Sequence, residues 1–486
     1  MSSGVVLVGA WTLLLVLLTV AVKRLFGALT ARTRTAAAPF GSASSARPLP
    51  GLAPSDPTLG NLGDLGRAGS LHQFLVKLHK SHGDLAAFWW GDRQVVSLAS
   101  PELWKQVNRL FDRPVMLFSL FEPLIGKDSI QYANGQPAKD RRKTLDRGFS
   151  HTAIKQLFWC FEKIAKEKVD KWSKEQGSIP LHSEMMDFAL RVILLTSFGK
   201  TFEDEEEIKK IYQAYETCWH EMEQRVDGSF PEPGSARQRN FDEALKYMQQ
   251  KIKEIVDKEG KNPTESGHFI EILSQVVSSE QALFSEAITY LVGGFHTTGN
   301  MLAWSVYFLA EEHSLQRKLQ EEIDDVLSDR PLSVETLSQM KLLNQVLNES
   351  LRKSVLAPWA ARESDIDISV GGYHIPAKTP MVLALGVVLQ DERIWPEPQK
   401  FDPSRFSKEE SAKRHPLAFS PFGFAGKRVC PGYRFAFAEA GICLVSLLRR
   451  LDITPSPGQK PPEPVFGLVT SPKHEIFITA RSRHAH

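Results

Sequence analysis

One segment of this 486-residue chain restricts its fold and chemistry more than any other. The segment Phe422 to Gly432 reads FGFAGKRVCPG, so Cys430 follows a glycine-rich turn and stands two residues after Arg428. An apolar run that starts near Tyr433 predicts a helix directly behind the cysteine. Arg428, Lys427 and the N-terminus of that helix would favour a charged sulfur, and the glycines would let the backbone wrap around a bulky group. The pattern predicts a thiolate ligand in a tight loop.

The competing interpretation is a buried, inert cysteine in a turn. The spacing Gly-x-Arg-x-Cys-x-Gly argues against it, because this spacing resembles the cysteine-ligand signature of the cytochrome P450 family. The resemblance implies haem b, with Cys430 as the axial ligand of the iron. One departure from the family is Gly423, which stands where a phenylalanine is usual. Phe422 and Phe424 flank it, and either ring could cover the proximal face of the haem.

Charge and cysteine content exclude other classes of protein. The chain has 59 basic and 57 acidic residues, and it has no basic tail or recognition motif that would indicate nucleic-acid binding. Its four cysteines, at positions 160, 218, 430 and 443, are widely spaced and form no Cys-x-x-Cys pair. The sequence therefore predicts neither a zinc site nor a disulfide framework, and we expect reduced thiols on the cytosolic side.

The N-terminal region predicts a membrane anchor. Gly4 to Val22 contains no charged residue over 19 positions, which is about the length that spans ~30 Å of hydrocarbon. Lys23, Arg24, Arg32 and Arg34 follow, and no basic residue precedes, so the positive-inside rule places the N-terminus in the lumen and the rest in the cytosol. A cleaved signal peptide is the alternative, but its basic residues would come before the apolar run.

Composition divides the chain into three parts. Residues 25–47 are rich in Ala, Ser, Thr and Arg, and prolines at 48, 50, 54 and 57 stiffen the following stretch. We predict a transmembrane anchor at 4–22, a linker with a proline-rich hinge at 23–58, and one haem-thiolate catalytic domain at 59–486.

Hydrophobic periodicity predicts a mainly α protein with small β-sheets. The family resemblance implies the cytochrome P450 fold, with the N-terminal transmembrane helix added. Helical patterns cover roughly 153–176, 182–198, 204–226, 239–259, 267–277, 283–312, 314–327 and 339–354. Short strands are predicted near 86–98, 367–375, 379–384 and 475–480.

Glu349 and Arg352 lie three residues apart on a predicted helix, where the two side chains can pair. Taken alone they would be an ordinary surface ion pair. Their position before Arg405 and Cys430 resembles the Glu-x-x-Arg pair of cytochromes P450 and the arginine that locks it. The resemblance implies a buried network that supports the haem loop.

The predicted helix at 283–312 carries Gly-Gly-Phe-His-Thr-Thr from Gly293 to Thr298 and resembles the distal oxygen-binding helix of the family. Gly293 and Thr297 are four residues apart, so both can face the haem, and Thr297 would handle protons for O2 cleavage. Tight helix packing is the alternative explanation of the glycines. His296 replaces the usual acid, and it is either a proton shuttle or a structural histidine bonded to a backbone carbonyl.

Two haem propionates require cations, for which the resemblance implies Arg428, Arg362 and Arg142. Arg142 belongs to the family's Trp-x-x-x-Arg motif, but Ala138 occupies the tryptophan position. For the residues of the charged run at 139–143 other than Arg142, a solvated helix face is the alternative.

An apolar substrate pocket is predicted from a set of hydrophobic residues, although core packing is the simpler explanation for each one. The set is Met116, Leu117, Phe118, Phe121, Leu124, Ile125, Leu356, Trp359, Phe466 and Leu468.

The motif around His296, the missing tryptophan, and the segments 383–391 and 430–436 are most similar to family twenty of the cytochromes P450. The resemblance implies a monooxygenase that inserts one oxygen atom from O2 into a lipophilic small molecule. No phosphate loop or dinucleotide fingerprint occurs, so the electrons would come from a separate protein. The resemblance implies NADPH as their source and a membrane-bound flavoprotein reductase as that protein. The expected location is the endoplasmic reticulum membrane, with a single span and a cytosolic catalytic domain. A haem-thiolate isomerase or peroxygenase and a non-catalytic haem-binding sensor are the alternatives that the altered His296 leaves open.

Overall fold

The computed structural model describes residues 47–199, 204–226, 229–259, 268–277 and 279–483. The predicted anchor at 4–22 and most of the predicted linker lie outside these residues. Of the helices within them, none has both the length and the apolar character needed to cross a membrane. The segment Pro48–His486 forms one compact unit.

Helices dominate the described chain, as the hydrophobic pattern predicts. In chain order they are α1 Leu62–Ala68, α2 Leu71–His82, α3 Pro101–Val107, α4 Val115–Phe118, α5 Glu122–Ile125, α6 Gly135–Leu145, α7 His151–Trp172, α8 Leu181–Phe198, α9 Glu205–Val226, α10 Ala236–Glu259, α11 Phe269–Val276, α12 Glu280–Glu311, α13 His313–Leu327, α14 Val334–Gln339, α15 Lys341–Ser354, α16 Leu385–Leu389, α17 Lys408–Ala412 and α18 Tyr433–Arg450. The predicted helical segments match α7 to α13 and α15 to within about a turn at each end, and α18 is the helix expected behind Cys430.

The strands are short and form small sheets. They are β1 Leu85–Trp90, β2 Arg93–Leu98, β3 Ile179–Pro180, β4 Ala360–Arg362, β5 Ile368–Val370, β6 Tyr373–Ile375, β7 Met381–Leu383, β8 Leu451–Pro455, β9 Pro464–Phe466, β10 Thr470–Pro472 and β11 Phe477–Ser482. One sheet has the order β1-β2-β7-β4, in which only the β2–β7 pair is parallel. A second has the order β3-β11-β8, and β5-β6 and β9-β10 are hairpins. Gly91, with a φ of +63°, lies in the tight turn between β1 and β2 that divides the predicted region 86–98.

Helix α12 runs through the centre of this compact unit. Its N-terminus is capped by Ser279, whose hydroxyl accepts the N–H of Ala282. From Thr298 to Ala310 every residue of the helix is buried, as the mainly apolar sequence of this part requires. It packs most extensively on α8 and also contacts α15 and α18.

Helix α18 anchors the cysteine loop to the core. It packs along α7, and its apolar residues from Ala440 to Leu448 belong to the largest hydrophobic cluster. Because the core fixes the body of α18, its N-terminus, where the cysteine loop ends, is fixed as well.

Candidate active site

Cys430 stands at the end of a loop that closes on itself. The N–H of Cys430 donates to the carbonyl oxygen of Phe422 at 2.9 Å. Gly423 and Gly426 have φ angles of +78° and +51°, in the left-handed region that glycine enters at little cost. A phenylalanine at position 423 would be strained in this backbone, which accounts for glycine at this position.

The two phenylalanines beside Gly423 point to different parts of the protein. Phe422 packs on α18, with ring centroids 6.1 Å from Tyr433 and 5.6 Å from Phe437. Phe424 instead stacks on Trp104 of α3 at 5.2 Å. Of the two rings, Phe422 is therefore the one that contacts the helix behind the cysteine.

Cys430 keeps exposed surface although protein atoms surround it. Burial among these atoms raises the pKa of its thiol. The N–H of Gly432 and the charges of Arg142 and Arg113 act in the opposite direction and favour the thiolate. Binding of a metal ion would complete the deprotonation.

Four guanidinium groups gather near this sulfur: those of Arg113, Arg142, Arg362 and Arg428. Burial, together with mutual repulsion, lowers the pKa of Arg362 to about 10 and that of Arg428 to about 9, and it lowers the pKa of Arg113 as well. Asp146 pairs with Arg142, Nε to Oδ1, at 2.8 Å. Within the described ranges none of the other three arginines forms an ion pair, so the cluster carries net positive charge.

Most of the N–H donors of Arg428 form hydrogen bonds to backbone carbonyl oxygens. Its N–H groups reach the carbonyl oxygens of Phe111 at 3.2 Å and Ile130 at 2.8 Å, the carbonyl of Ala133, and the side-chain oxygen of Asn134 at 3.2 Å. A guanidinium has five N–H donors, so little capacity remains for another ligand. Arg428 ties the cysteine loop to the segment 111–134.

In Arg113 and Arg362, one N–H donor each has no acceptor among the described residues. The Nε atoms of both are buried without a hydrogen-bond partner among the described residues. Two orphaned donors within a net positive cluster fit a ligand with two carboxylates, and haem b carries two propionates. The residues present therefore fit the predicted haem, with Arg113 added to the predicted set and Arg428 engaged chiefly by the protein.

In the charged run at 139–143, some side chains are buried in the protein and others are exposed to solvent. Arg142 is 5% exposed and also donates to the carbonyl of Val429 at 2.7 Å. Arg141 pairs with the buried Glu286 of α12, whereas Asp140 and Lys143 are exposed. The solvated-face alternative thus holds for the exposed two, and Ala138 is fully buried where the family has tryptophan.

The two adjacent glycines of α12 have different roles. A Cβ on Gly294 would come within 2.6 Å of Ile193 on α8, so this glycine permits close helix packing. A Cβ on Gly293 would meet no atom within 4 Å. The hydroxyl of Thr297 donates to the carbonyl of Gly293 at 2.5 Å, so these two residues share an open face of the helix.

His296 lies on another side of α12, against α9. Successive helical residues are turned by about 100°, and the imidazole stacks on Trp219 with 4.2 Å between ring centroids. Its Nε2 lies 3.8 Å from Oε1 of Glu216. Burial and the nearby His182 lower the pKa of His296 to about 3, so the ring is neutral at physiological pH.

Glu349, Arg352 and Arg405 meet in one buried network. Arg352 binds Glu349 through two hydrogen bonds of 2.7 and 2.8 Å, and both side chains are fully buried. Arg405 lies 3.5 Å from the same carboxylate, and the N–H of Asp402 donates to it at 3.0 Å. Arg352 also donates to the carbonyls of Leu389 and Pro398. The network therefore fixes the segment between β7 and the cysteine loop.

The predicted pocket residues separate into two groups. Phe118 and Trp359 contact each other, with ring centroids 5.7 Å apart, and Phe121 reaches Trp219 of α9 at 6.3 Å. Leu124 and Ile125 line a cavity of about 420 Å³ between α5, α10 and α12. The others pack mainly into the core: Leu356 joins the largest cluster, Phe466 packs against His72 with tilted rings, and Leu117 and Leu468 belong to or contact other clusters.

Sequence reasoning missed three residues of this region: Arg113, Glu216 and Trp219. Arg113 carries no motif, and only the folded chain brings it to the other arginines. Glu216 and Trp219 lie on the inner side of α9, whose periodicity marks them as facing the core but does not indicate that they face His296.

Comparisons with known proteins indicate one and the same family over almost the whole of the described chain. The family model "Cytochrome P450" matches residues 50–479. Cytochrome P450 20A1 of Bos taurus is 35% identical over 445 residues, which cover 90% of this chain and 93% of the relative. The Homo sapiens protein of the same name is 33% identical with the same coverage. The solved heme domain of cytochrome P450DA superposes with a TM-score of 0.80 at 22% identity, covering 90% of this chain and 98% of that one.

Proposed function

The chain belongs to the cytochrome P450 family, and on that premise we propose that it is a membrane-anchored monooxygenase that acts on a lipophilic small molecule. Membership makes it a haem-thiolate oxidoreductase that uses haem b and a redox partner, and family twenty is the branch that it most resembles. The proposal adds the anchor, the substrate class and NADPH as the electron source. A membrane-bound flavoprotein reductase at the endoplasmic reticulum would deliver the electrons.

The proposal rests on one observation: the Cys430 loop and the arginine cluster lie close together. The thiol, polarised by the Gly432 N–H and two guanidiniums, is the proposed iron ligand. Arg113 and Arg362 would hold the propionates with their unpartnered Nε donors, and Arg142 would contribute charge. Bound haem supplies the activation of O2 and the transfer of one oxygen atom to substrate.

Side chains of the protein would act on the distal side of the haem. The Thr297 hydroxyl, which donates to the Gly293 carbonyl, can exchange this bond for one to a water or a ligand and so hold a proton there. The rings of Phe118, Phe121 and Trp359 would exclude water and favour an apolar substrate. Glu349, Arg352 and Arg405 would act at a distance by holding the proximal segment rigid.

The test combines reconstitution with a ligand screen. Purified haem-loaded protein is titrated with a library of lipids and sterols while the haem spin state is recorded, and NADPH consumption with the flavoprotein reductase is then measured for each compound that shifts it. We expect apolar compounds to shift the spin state and to be oxidised at the expense of NADPH. Turnover that requires only peroxide, or isomerisation without NADPH use, would refute the monooxygenase function as proposed.

Deleting residues 1–47 is expected to release most of the protein from membranes, because the proposed anchor at 4–22 is then absent. Phe230 in the α9–α10 connection is 61% exposed and can leave some residual affinity. The measurement is the distribution of protein between membrane and supernatant after a salt wash.

A matched full-length control separates the anchor from the linker. Replacing Leu14 and Leu17 by arginine keeps the chain length but costs about 2.5–3.5 kcal/mol per charge at a bilayer centre. The double variant should also leave the membrane fraction. If the truncated protein stayed entirely membrane-bound after the salt wash, the single-anchor proposal would be wrong.

A further inference from the structure

Polar atoms without partners collect where α9 crosses α12. Oη of Tyr215, Oε1 of Glu216 and Nε2 of His296 are all buried and form no hydrogen bond within the described part of the chain. Leaving such an atom unpaired costs about 1–3 kcal/mol. Native proteins retain buried unpaired groups chiefly where water, a ligand or a proton uses them. One member of this cluster, His296, directly precedes Thr297 in the sequence of α12.

Glu216 and His296 are positioned to act together. Oε1 and Nε2 are 3.8 Å apart, the side chain of Glu216 is 40% exposed, and that of His296 is 11% exposed. The carboxyl group thus has one oxygen against the imidazole and remains in contact with accessible space. A small rotation of either side chain, or one intervening water, would close a hydrogen bond.

The imidazole is held in place from two sides. Trp219 stacks on the ring at an interplanar angle of 24° and donates its indole N–H to Glu223 at 2.9 Å. The ring of Tyr215 contacts the imidazole from another side, with 5.3 Å between ring centroids. The orientation of His296 towards Glu216 is therefore built into the packing of α9 on α12.

We infer that Glu216 and His296 form a one-proton dyad that feeds the distal side of the haem site, so that a carboxyl group on α9 replaces the acid that usually precedes the threonine on α12. The inference rests on the proposed function, because it gives a role to protons that only oxygen activation consumes. In this inference the acid stands on α9 instead of α12, and His296 links it to the helix that carries Thr297.

The environment divides the two groups into an acid and a base. Burial, aided by Glu223, raises the pKa of Glu216 to about 7, while burial and His182 lower that of His296 to about 3. Near neutral pH the pair therefore shares about one proton, which resides mainly on the carboxyl. The other titratable groups nearby are Tyr212 and Tyr215 on α9 and Glu475 beyond α8, and burial raises the pKa of both phenols, so these stay protonated.

The transfer conserves protons and charge. The O–H bond of Glu216 breaks as an N–H bond forms at Nε2 of His296, which leaves a carboxylate and an imidazolium. The imidazolium then releases the proton from Nδ1, which leaves His296 neutral with a proton on Nε2. Glu216 takes up a new proton from solvent at its accessible side, and exchange of the Nε2 proton for one on Nδ1 through water restores the starting tautomer.

The first test is independent of turnover. Infrared spectra of the haem-loaded protein are recorded between pH 5 and 9 for the parent, Glu216→Gln, His296→Phe and Glu206→Gln. His296→Phe keeps a ring against Trp219 but removes the proton acceptor, and Glu206→Gln removes a charge from an exposed position of α9. We expect a protonated-carboxyl band that titrates near neutral pH, disappears in Glu216→Gln, moves to higher frequency in His296→Phe, and stays in Glu206→Gln.

The second test needs no known substrate. With reductase and NADPH, the ratio of hydrogen peroxide formed to NADPH consumed should rise several-fold in Glu216→Gln and in His296→Phe, and the double variant should equal either single one, because both residues act in one path. Glu206→Gln should match the parent.

The outcomes separate the dyad from the proposed function. A carboxyl band that does not change in His296→Phe, or peroxide ratios equal to the parent in both single variants, would overturn the dyad. A parent protein that consumes no NADPH with reductase would refute the proposed electron source, and the infrared spectra would still decide whether Glu216 and His296 share a proton.

Discussion

Cys430→Ala is expected to abolish the thiolate-type carbon monoxide spectrum and most haem retention. The loop from Phe422 to Gly432 offers the iron no other sulfur, and alanine cannot ligate it. The arginines near position 430 would remain, so weak binding of haem through the propionates is compatible with the expectation. The measurement is the reduced carbon monoxide difference spectrum, together with the haem content after gel filtration.

Two control variants, Cys218→Ala and Cys443→Ala, remove a thiol elsewhere in the chain. Both should keep the thiolate-type carbon monoxide spectrum. Both thiols are buried, and burial raises the pKa of Cys218 to about 12 and raises that of Cys443 as well, so neither is disposed to form a thiolate. A thiolate-type spectrum that survived in Cys430→Ala would show that another residue is the ligand.

Arg352→Ala is expected to destabilise the protein by about 3–5 kcal/mol, because it leaves the carboxylate of Glu349 buried without its bidentate partner. Arg405, at 3.5 Å, is too distant to replace both hydrogen bonds. Since the same guanidinium holds the carbonyls of Leu389 and Pro398, the proximal segment should loosen too. Urea unfolding of the haem-loaded protein, followed by circular dichroism and by haem absorbance, measures both effects.

Two variants test the reason for that loss. Lys341→Ala removes a charge from an exposed position of the same helix and should change the stability by less than about 0.5 kcal/mol. Glu349→Leu combined with Arg352→Met removes both charges, so the loss should be smaller than the sum of the single losses. A decrease of less than about 1 kcal/mol in Arg352→Ala would place the pair among ordinary surface ion pairs.

The sequence predicts the long helices well, because each repeats its apolar face over several turns. Helices α8, α9 and α13 begin and end within one residue of the predicted bounds. The short helices α4, α5 and α16 have too few residues to display a period. The region 86–98 looks continuous in composition, and only the glycine turn at Gly91 reveals two strands.

The sequence predicts a candidate site residue where a motif fixes its spacing from other site residues. It does not predict a residue that only the folding of the chain brings into contact with the site. Glu349 and Arg352 are three residues apart on one helix, so their contact follows from helical geometry. Arg113 reaches the other arginines only because the segment 111–134 folds onto the cysteine loop. His296 shows a further limit, since the sequence places it beside Thr297 but the packing of α9 decides that it faces Glu216.

The cluster of Arg113, Arg142, Arg362 and Arg428 has a consequence for how the protein is produced in a cell. Burial lowers the pKa values of Arg113, Arg362 and Arg428 in the folded chain, and charges shifted in this way oppose folding until an anion neutralises them. A dianionic prosthetic group is therefore also a folding ligand, and by linkage it stabilises the native state with the logarithm of its free concentration. A cell that synthesises the polypeptide faster than haem would accumulate it in its least stable form. The abundance of this protein should then follow haem supply as closely as it follows messenger RNA.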